Sequence, residues 1–420
     1  MPTATVAAIV VLLLITSPAL ADPGDPDPDF GDGGTQTTDF SSGYDAGYGM
    51  AIQADRKIVL VGTTYNGTDN DFGVARYTTA GVLDVALSGD GERTAAFAGT
   101  DEASDVAIQA NGRIVVVGAT SDGADWDFAI ARFRAGGALD HSFSGDGKRT
   151  VDLGGGNQEA NGVAIQEDGK IVVVGYTDHT GENDWLIVRL NLNGSLDQTF
   201  SGDGTRTTDF GPGFNRAADV AIQQDGRIVV AGWASNGADS DFAISRYRPG
   251  GRLDRRFSGD GKQTTDFGLG YDMAYAVAIQ SNGRIVASGD ADTGPDIDVA
   301  LVRYRPGGAL DASFDGDGMQ TTGFGFGNDR GFDVAIQDDE KFVVVGSATQ
   351  ADQNFAVIRY GTGGELDPSF GSGGFQITNF GFGDDDANAV AIQNNGKIVA
   401  AGNAYSGTDP DFALARYLAS

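Results

Sequence analysis

The chain has 420 residues, no cysteine, 65 glycines and a formal charge of −31, from 59 acidic against 28 basic side chains. That balance excludes nucleic acid and anionic membrane surfaces as partners by repulsion, and the missing cysteine excludes a disulfide framework or a lipoprotein attachment site. Of the 59 acids, 52 are Asp, a residue suited to turns rather than strands, so the charge belongs to loops and keeps the surface solvated.

The N-terminus opens on an uncharged apolar run from Ala4 to Ile15, followed by Ser17-Pro18 and then Ala19-Leu20-Ala21. The small-x-small ending fits a signal peptidase site, and twelve apolar residues are too few to span a bilayer, so residues 1–21 are expected to be a signal peptide. Export to the periplasm or the extracellular space follows, with no membrane partner after cleavage. The remaining 399 residues are seven times 57.

That number matters because Ala-Ile-Gln occurs seven times, ending at Gln53, Gln109, Gln166, Gln223, Gln280, Gln337 and Gln393, at spacings of 56 or 57. A unit this short cannot bury its own apolar face and must stack on its neighbours. Within one copy, Val163 to Gln166 and Lys170 to Gly175 read as two strands joined by Asp168-Gly169. Asp-Gly or Asn-Gly between β-prone runs predicts a hairpin with a type I′ turn. Copies one and six carry Asp55-Arg56 and Asp339-Glu340 instead, and looser turns are expected there. The apolar run of the second strand, without alternation, predicts burial on both faces.

A third strand, as in Phe128 to Phe133, follows an Asp- and Gly-rich loop, and Gly-x-Leu-Asp-x-Ser-Phe then leads to a fourth at Thr-Thr-Asp-Phe. Four short strands per repeat with no helical periodicity predict an all-β, seven-bladed propeller of four-stranded antiparallel blades, spanning 22–420 as one domain. A parallel β-helix is the weaker alternative. Because the chain ends in a third strand, Phe412 to Tyr417, the segment Thr35 to Phe40 is expected to complete the last blade and close the ring.

The succession Val-Ala-Ile-Gln-x-Asp-Gly-Lys-Ile-Val-Val-Val-Gly, Phe-Ala-Ile-Ala-Arg-Tyr and Gly-x-Leu-Asp-x-Ser-Phe resembles the delta-60 repeat, over essentially all of residues 27 to 420. The resemblance implies an exported bacterial β-propeller and no particular activity. The chain departs from that family where five copies read Gly-Asp-Gly after the Phe-Ser, Phe-Asp or Leu-Ser pair, in place of the Phe-Gly kept at Phe30 and Phe370.

Two charged positions are filled identically in every copy. They are the third-strand arginines Arg76, Arg132, Arg189, Arg246, Arg303, Arg359 and Arg416, and the following aspartates Asp84, Asp140, Asp197, Asp254, Asp311 and Asp367, with Asp27 closing the series. Seven copies of one pair supply scaffold logic, so bidentate structural bridges are expected and function is to be sought where copies differ. Asp-x-Asp pairs precede the third strand: Asp69 and Asp71, Asp125 and Asp127, Asp239 and Asp241, Asp296 and Asp298, Asp409 and Asp411. Paired carboxylates in a Gly-rich loop suit calcium, the one cofactor the sequence leaves open, although no EF-hand pattern is present and Asp also forms turns unaided.

Ser-Gly-Asp-Gly-x-x-Thr has the wrong spacing and final residue for the Asp-box of sialidases and reads as a turn. The two histidines, His141 and His179, stand without a nucleophile or metal-ligand spacing. The loops after strands two and four are expected on one face, with Tyr65, Trp126, Tyr176, Trp233, Tyr271 and Tyr405 as ligand-binding aromatics among carboxylates. The reading that follows is a monomeric, non-enzymatic scaffold binding a carbohydrate or protein. A calcium-stabilised adhesive protein, and a carboxylate-pair glycoside hydrolase or lyase, are the alternatives.

Overall fold

The computed structural model describes residues 22–40, 43–179, 181–325, 327–381 and 383–419; the expected signal peptide lies outside them. Twenty-eight strands form seven separate four-stranded antiparallel sheets, and no helix occurs among the described residues. In the first blade the inner strand is Asp45–Ile52, the second Ile58–Tyr65, the third Asn70–Tyr77 and the outer Glu92–Ala95. Five further blades repeat this order.

The seventh blade takes its outer strand, Thr35–Thr38, from the other end of the chain, paired Thr35 to Ala415 and Thr38 to Phe412 on the third strand Pro410–Tyr417. The expected closure is therefore present, and it leaves the ring without a ragged blade. Second strands such as Ile114–Ser121 are buried along nearly their whole length, as their unalternating apolar sequence requires. Their side chains interdigitate with both neighbouring sheets, so each core cluster spans two blades: Val115 and Val117 pack with Ile171, Val173 and Leu186 of the next blade.

Hairpin turns depart from expectation in type. Gly112 N–H donates to the Gln109 carbonyl at 2.8 Å and Gln109 N–H to the Arg113 carbonyl at 2.9 Å, while only Gly112 has a positive φ, at 79°. This is a type I turn with a glycine bulge rather than a type I′ turn. Copies one and six are not looser either. Arg56 and Glu340 adopt φ 67° and 65° and donate to Gln53 and Gln337 at 2.8 and 2.9 Å. The bulge geometry is imposed on them at a steric cost of about 1–2 kcal/mol that glycine avoids. Arg56→Gly, with an exposed side chain, is expected to raise stability by up to about 1 kcal/mol after the extra unfolded-state entropy of glycine is subtracted. Urea denaturation of the two proteins measures it.

The repeated Arg and Asp meet in all seven blades. Arg132 Nε donates to Asp140 at 3.0 Å, Nη1 to the Leu192 carbonyl of the next blade at 2.6 Å and Nη2 to Ser142 at 3.1 Å. Its guanidinium also lies over Phe143, 4.7 Å from the ring centroid. Each arginine thus ties its own carboxylate to the neighbouring blade, instead of making the fork-to-fork pair expected. A second cation from the hairpin turn, Arg113 on Asp140 at 2.7 Å or Lys170 on Asp197 at 3.1 Å, completes each cluster. Burial alone would raise these carboxyls, but hydroxyl and backbone donors and the paired cations outweigh it, holding Asp140 and Asp197 at about 2. These residues sit on the hairpin-turn face and serve the scaffold.

Candidate functional site at the channel mouth

Every inner strand carries a bulge at the same place, where the register with the second strand slips by a residue: between Gly47 and Gly49, Ala103 and Asp105, Ala160 and Gly162, and so on around the ring, the blade-five strand having a second irregularity between Leu269 and Met273. The bulged residues include Tyr48, Ser104, Asn161, Tyr275, Phe332 and Asn388, and with their successors they line an axial cavity of about 120 Å³ to which all seven blades contribute. Bulges re-aim side chains, and here they turn them to the channel.

At the floor stand three aspartates from alternate blades. Asp105, Asp219 and Asp333 each accept a hydrogen bond from the following blade, from Val163, Val277 and Val390 N–H at 2.8, 2.8 and 2.7 Å. Their second oxygens accept from the next residue of their own strand, at 2.7, 2.6 and 2.7 Å. Burial pushes all three carboxyls up, Asp333 to about 7, and Asp105 and Asp333 also feel the charge of Asp219. These groups clip blades together in pairs.

Above them the copies diverge. The cross-strand pair one step before the small pair that flanks the bulge is different in each blade: Ala46 with Thr63, Glu102 with Ala119, Glu159 with Tyr176, Arg216 with Trp233, Met273 with Asp290, Arg330 with Ser347, Asp386 with Asn403. Two sectors result. In blades three and four, Glu159 accepts from the Tyr176 hydroxyl at 2.6 Å and from Arg216 at 2.8 Å, while the Arg216 guanidinium lies 4.0 Å from the Tyr176 ring centroid. Burial and Glu159 push the Tyr176 hydroxyl up to about 12.

In blades five to seven the polar groups are less satisfied. Asp290 is 4% exposed and its Oδ2 lies 3.6 Å from Arg330 Nε, yet Asp290 Oδ1, Arg330 Nε and Ser347 Oγ are buried without a hydrogen-bond partner among the described residues. Burial pushes Asp290 up to about 6 against the pull of Arg330 and Tyr275, and it raises Asp386 as well. A row of rings crosses this sector: Trp233 to Tyr275 at 5.9 Å and Tyr275 to Phe332 at 5.6 Å, both edge-to-face. Unlike charges, unsatisfied buried polar atoms and aromatic rings converge at one mouth, the arrangement a ligand site needs.

The six aromatics singled out from sequence divide. None is in a loop: Tyr65, Tyr176, Trp233 and Tyr405 lie in second strands, Trp126 opens a third strand and Tyr271 lies in an inner strand. Tyr176 and Trp233 reach the mouth. Tyr65, Trp126 and Tyr405 are half-buried near the blade edges, and Tyr271 is 58% exposed on the rim. The Asp-x-Asp pairs also divide. Asp69 belongs to the connecting turn and Asp71 to the buried start of the third strand, with Asn66 Nδ2 donating to both, at 2.5 and 2.9 Å. Asn236 binds Asp239 and Asp241 likewise, at 2.5 and 3.2 Å. Asp125, Asp296 and Asp409 are half-buried turn residues; Asp127 and Asp298, half-buried, lie in third strands, as does buried Asp411. Glu102, Glu159, Arg216, Asp290 and Arg330 escaped notice, although four of these five, with Ala46, Met273 and Asp386, stand seven residues before the repeated Gln, a position where the copies diverge.

The profile described as Domain of unknown function (DUF5122) beta-propeller matches residues 53–86, 109–143, 166–200, 223–257, 280–314, 337–370 and 393–420. The chain belongs to this family. Six of the seven matched stretches of the DUF5122 repeat begin at the Gln of Ala-Ile-Gln and run through the buried Arg and Asp, and the seventh ends beyond Arg416 with the chain; they take in the second-strand mouth positions such as Tyr176 and Trp233 and leave out the inner strands. No curated protein matches the chain. Among solved structures, a catalytically inactive virginiamycin B lyase from Staphylococcus aureus, solved with quinupristin, is similar with a TM-score of 0.53 at 10% identity, covering 91% of this chain and 98% of that one. A periplasmic gluconolactonase from Pseudomonas aeruginosa has a TM-score of 0.48 at 14% identity, covering 86% and 99%. At such identities the likeness is one of fold.

Proposed function

We propose that this DUF5122 propeller is an exported binding protein of the delta-60 type, and that it holds a carbohydrate across the channel mouth. The observation that carries the reading is the divergence of the pre-bulge pair: seven otherwise repeated blades differ where their side chains converge. The ring row Trp233, Tyr275 and Phe332 offers apolar faces for sugar rings, and Asp290, Arg330, Ser347 and Asp386 offer donors and acceptors for hydroxyls. The net negative charge of the chain favours neutral saccharides over polyanions.

Glycan-array binding tests this. Tyr275→Ala is expected to weaken binding about tenfold or more, whereas Leu192→Ala, exposed on the hairpin-turn face, leaves it unchanged. Equal binding by both variants, or none by the parent chain, removes the proposal. A second reading is catalytic, favoured by Asp290: a buried carboxyl at about 6, beside Arg330 and with one oxygen free, is placed for acid or base work on a bound sugar. Release of reducing ends from a polysaccharide panel, lost in Asp290→Asn, decides between the two.

A further inference from the structure

We propose that the saccharide held at the mouth carries a free amine, seated in a notch at blade one between Asp386 and Glu102. The amine assignment rests on the carbohydrate reading above and narrows its substrate class. Elsewhere in the ring the fold answers such acids itself. Between blades three and four, Glu159 is met by Arg216 of the following blade at 2.8 Å. Between blades five and six, Asp290 is met by Arg330 at 3.6 Å. Between blades seven and one the acid is Asp386, and the residue in the answering position is Ala46. The cation that the fold supplies twice is not supplied there.

The notch has a floor and two charged sides. Ala46 and Thr63 form the smallest of the seven mouth pairs, so the wall is lowest at blade one. Below them Asn388 of blade seven donates to the Gly47 carbonyl at 2.8 Å, and the backbones stand so close that a Cβ on Gly47 would strike the Gly402 carbonyl. Tyr48 lies in the bulge of blade one. Burial, the Tyr44 hydroxyl, and then the charges of Glu102 and Asp386 push its hydroxyl up, so both carboxylates act on this one ring. Asp386 faces the Ser347 hydroxyl and the Asn403 amide, with Arg330 acting from the slot behind, yet burial and Asp384 outweigh them and raise it. Glu102 is raised by burial and by Glu159, and no basic side chain among the described residues offsets this.

A second observation is a buried hydroxyl. Thr63 is 2% exposed, and its Oγ1 has no hydrogen-bond partner among the described residues. It occupies the position that in blade three turns Tyr176 toward Arg216 of the following blade, so it looks toward Glu102. A buried acceptor without a donor is costly. An ammonium brings three donors and no acceptor, which suits carboxylates and a hydroxyl, and successive amines along a chain can divide these partners. The Tyr48 ring adds a face for a cation, whereas an acidic sugar would be repelled.

Calorimetric titration of the full chain at about pH 6, where ordinary carboxylates are ionised, tests the assignment. The probes are the hexasaccharides of chitosan, chitin and cellulose, which share one backbone and carry an ammonium, an acetamide or a hydroxyl at the same carbon. The chitosan chain is expected to bind about tenfold tighter than the other two, or more. Asp386→Asn combined with Glu102→Gln keeps size and hydrogen bonding and should bring the three to parity, with circular dichroism confirming the fold. Tyr275→Ala should instead weaken all three alike, because a ring face does not read the substituent. Equal affinity of the parent chain for the three, or a preference that survives the double variant, overturns the amine assignment and leaves the mouth reading standing wherever Tyr275→Ala still weakens binding. Binding of none of the three overturns it as well, and the glycan array then decides the mouth reading alone.

Discussion

A chain lacking residues 22–40 is expected not to fold cooperatively. That segment supplies Thr35–Thr38, the outer strand of blade seven, and without it the third strand Pro410–Tyr417 becomes an open edge. It also carries Phe30, fully buried among Ile58, Leu60, Tyr77 and Phe412, and 4.5 Å from the Arg416 guanidinium. Asp27 completes the loss: it is 1% exposed and accepts from Arg416 Nε at 2.6 Å and from Lys397 at 2.5 Å. The truncation removes the anion from a buried arginine and the covering from a core cluster in one step. A thermal melt by circular dichroism should show a broad transition or none.

Asp27→Ala isolates the charge. Arg416, only 5% exposed, is left without its carboxylate, and breaking a buried pair from one side costs about 3–5 kcal/mol. Asp29→Ala, two residues away, keeps the backbone carbonyl that Arg416 contacts at 3.4 Å and should cost less than about 0.5 kcal/mol. A parent-like melt for Asp27→Ala would show that the strand pairing alone closes the ring.

The ring was legible in sequence because periodicity, strand count and the missing outer strand are all one-dimensional facts. The candidate site was not, for a reason visible at Gly175. The run Ile171 to Val174 followed by Gly175 looks like a strand ending at a glycine, which places Tyr176 in a loop. The glycine instead lies within the strand, opposite the bulge after Ala160, because a Cβ there would strike the Glu159 carbonyl. Gly62, Gly118, Gly232, Gly289, Gly346 and Gly402 meet the same obstacle. The strand therefore continues past the glycine and delivers Tyr176, Trp233 and Asp290 to the mouth. That Glu159 and Arg216, 57 positions apart, share a salt bridge follows only from the closeness of neighbouring inner strands.

Stability should be greatest in mildly acid solution and fall as pH rises toward 8. The axial Asp105, Asp219 and Asp333 have carboxyls raised above their unfolded value near 3.8, so the folded state binds protons that the unfolded state has released. Their contribution is present below about 4 and is lost as pH climbs through about 7, the value for Asp333. Asp140 and Asp197 act in the opposite sense: held at about 2, they stabilise above 3.8 and cease to do so as pH falls through 2. The two trends place the maximum near pH 4–5. An axial carboxylate that must ionise well above its usual value, as Asp333 does at about 7, withholds at most on the order of 4 kcal/mol at pH 8. Asp333→Asn keeps an acceptor for Val390 N–H and cannot ionise, so the fall in Tm between pH 5 and pH 8 should shrink in that variant. An undiminished fall would place the pH dependence elsewhere than on the axis.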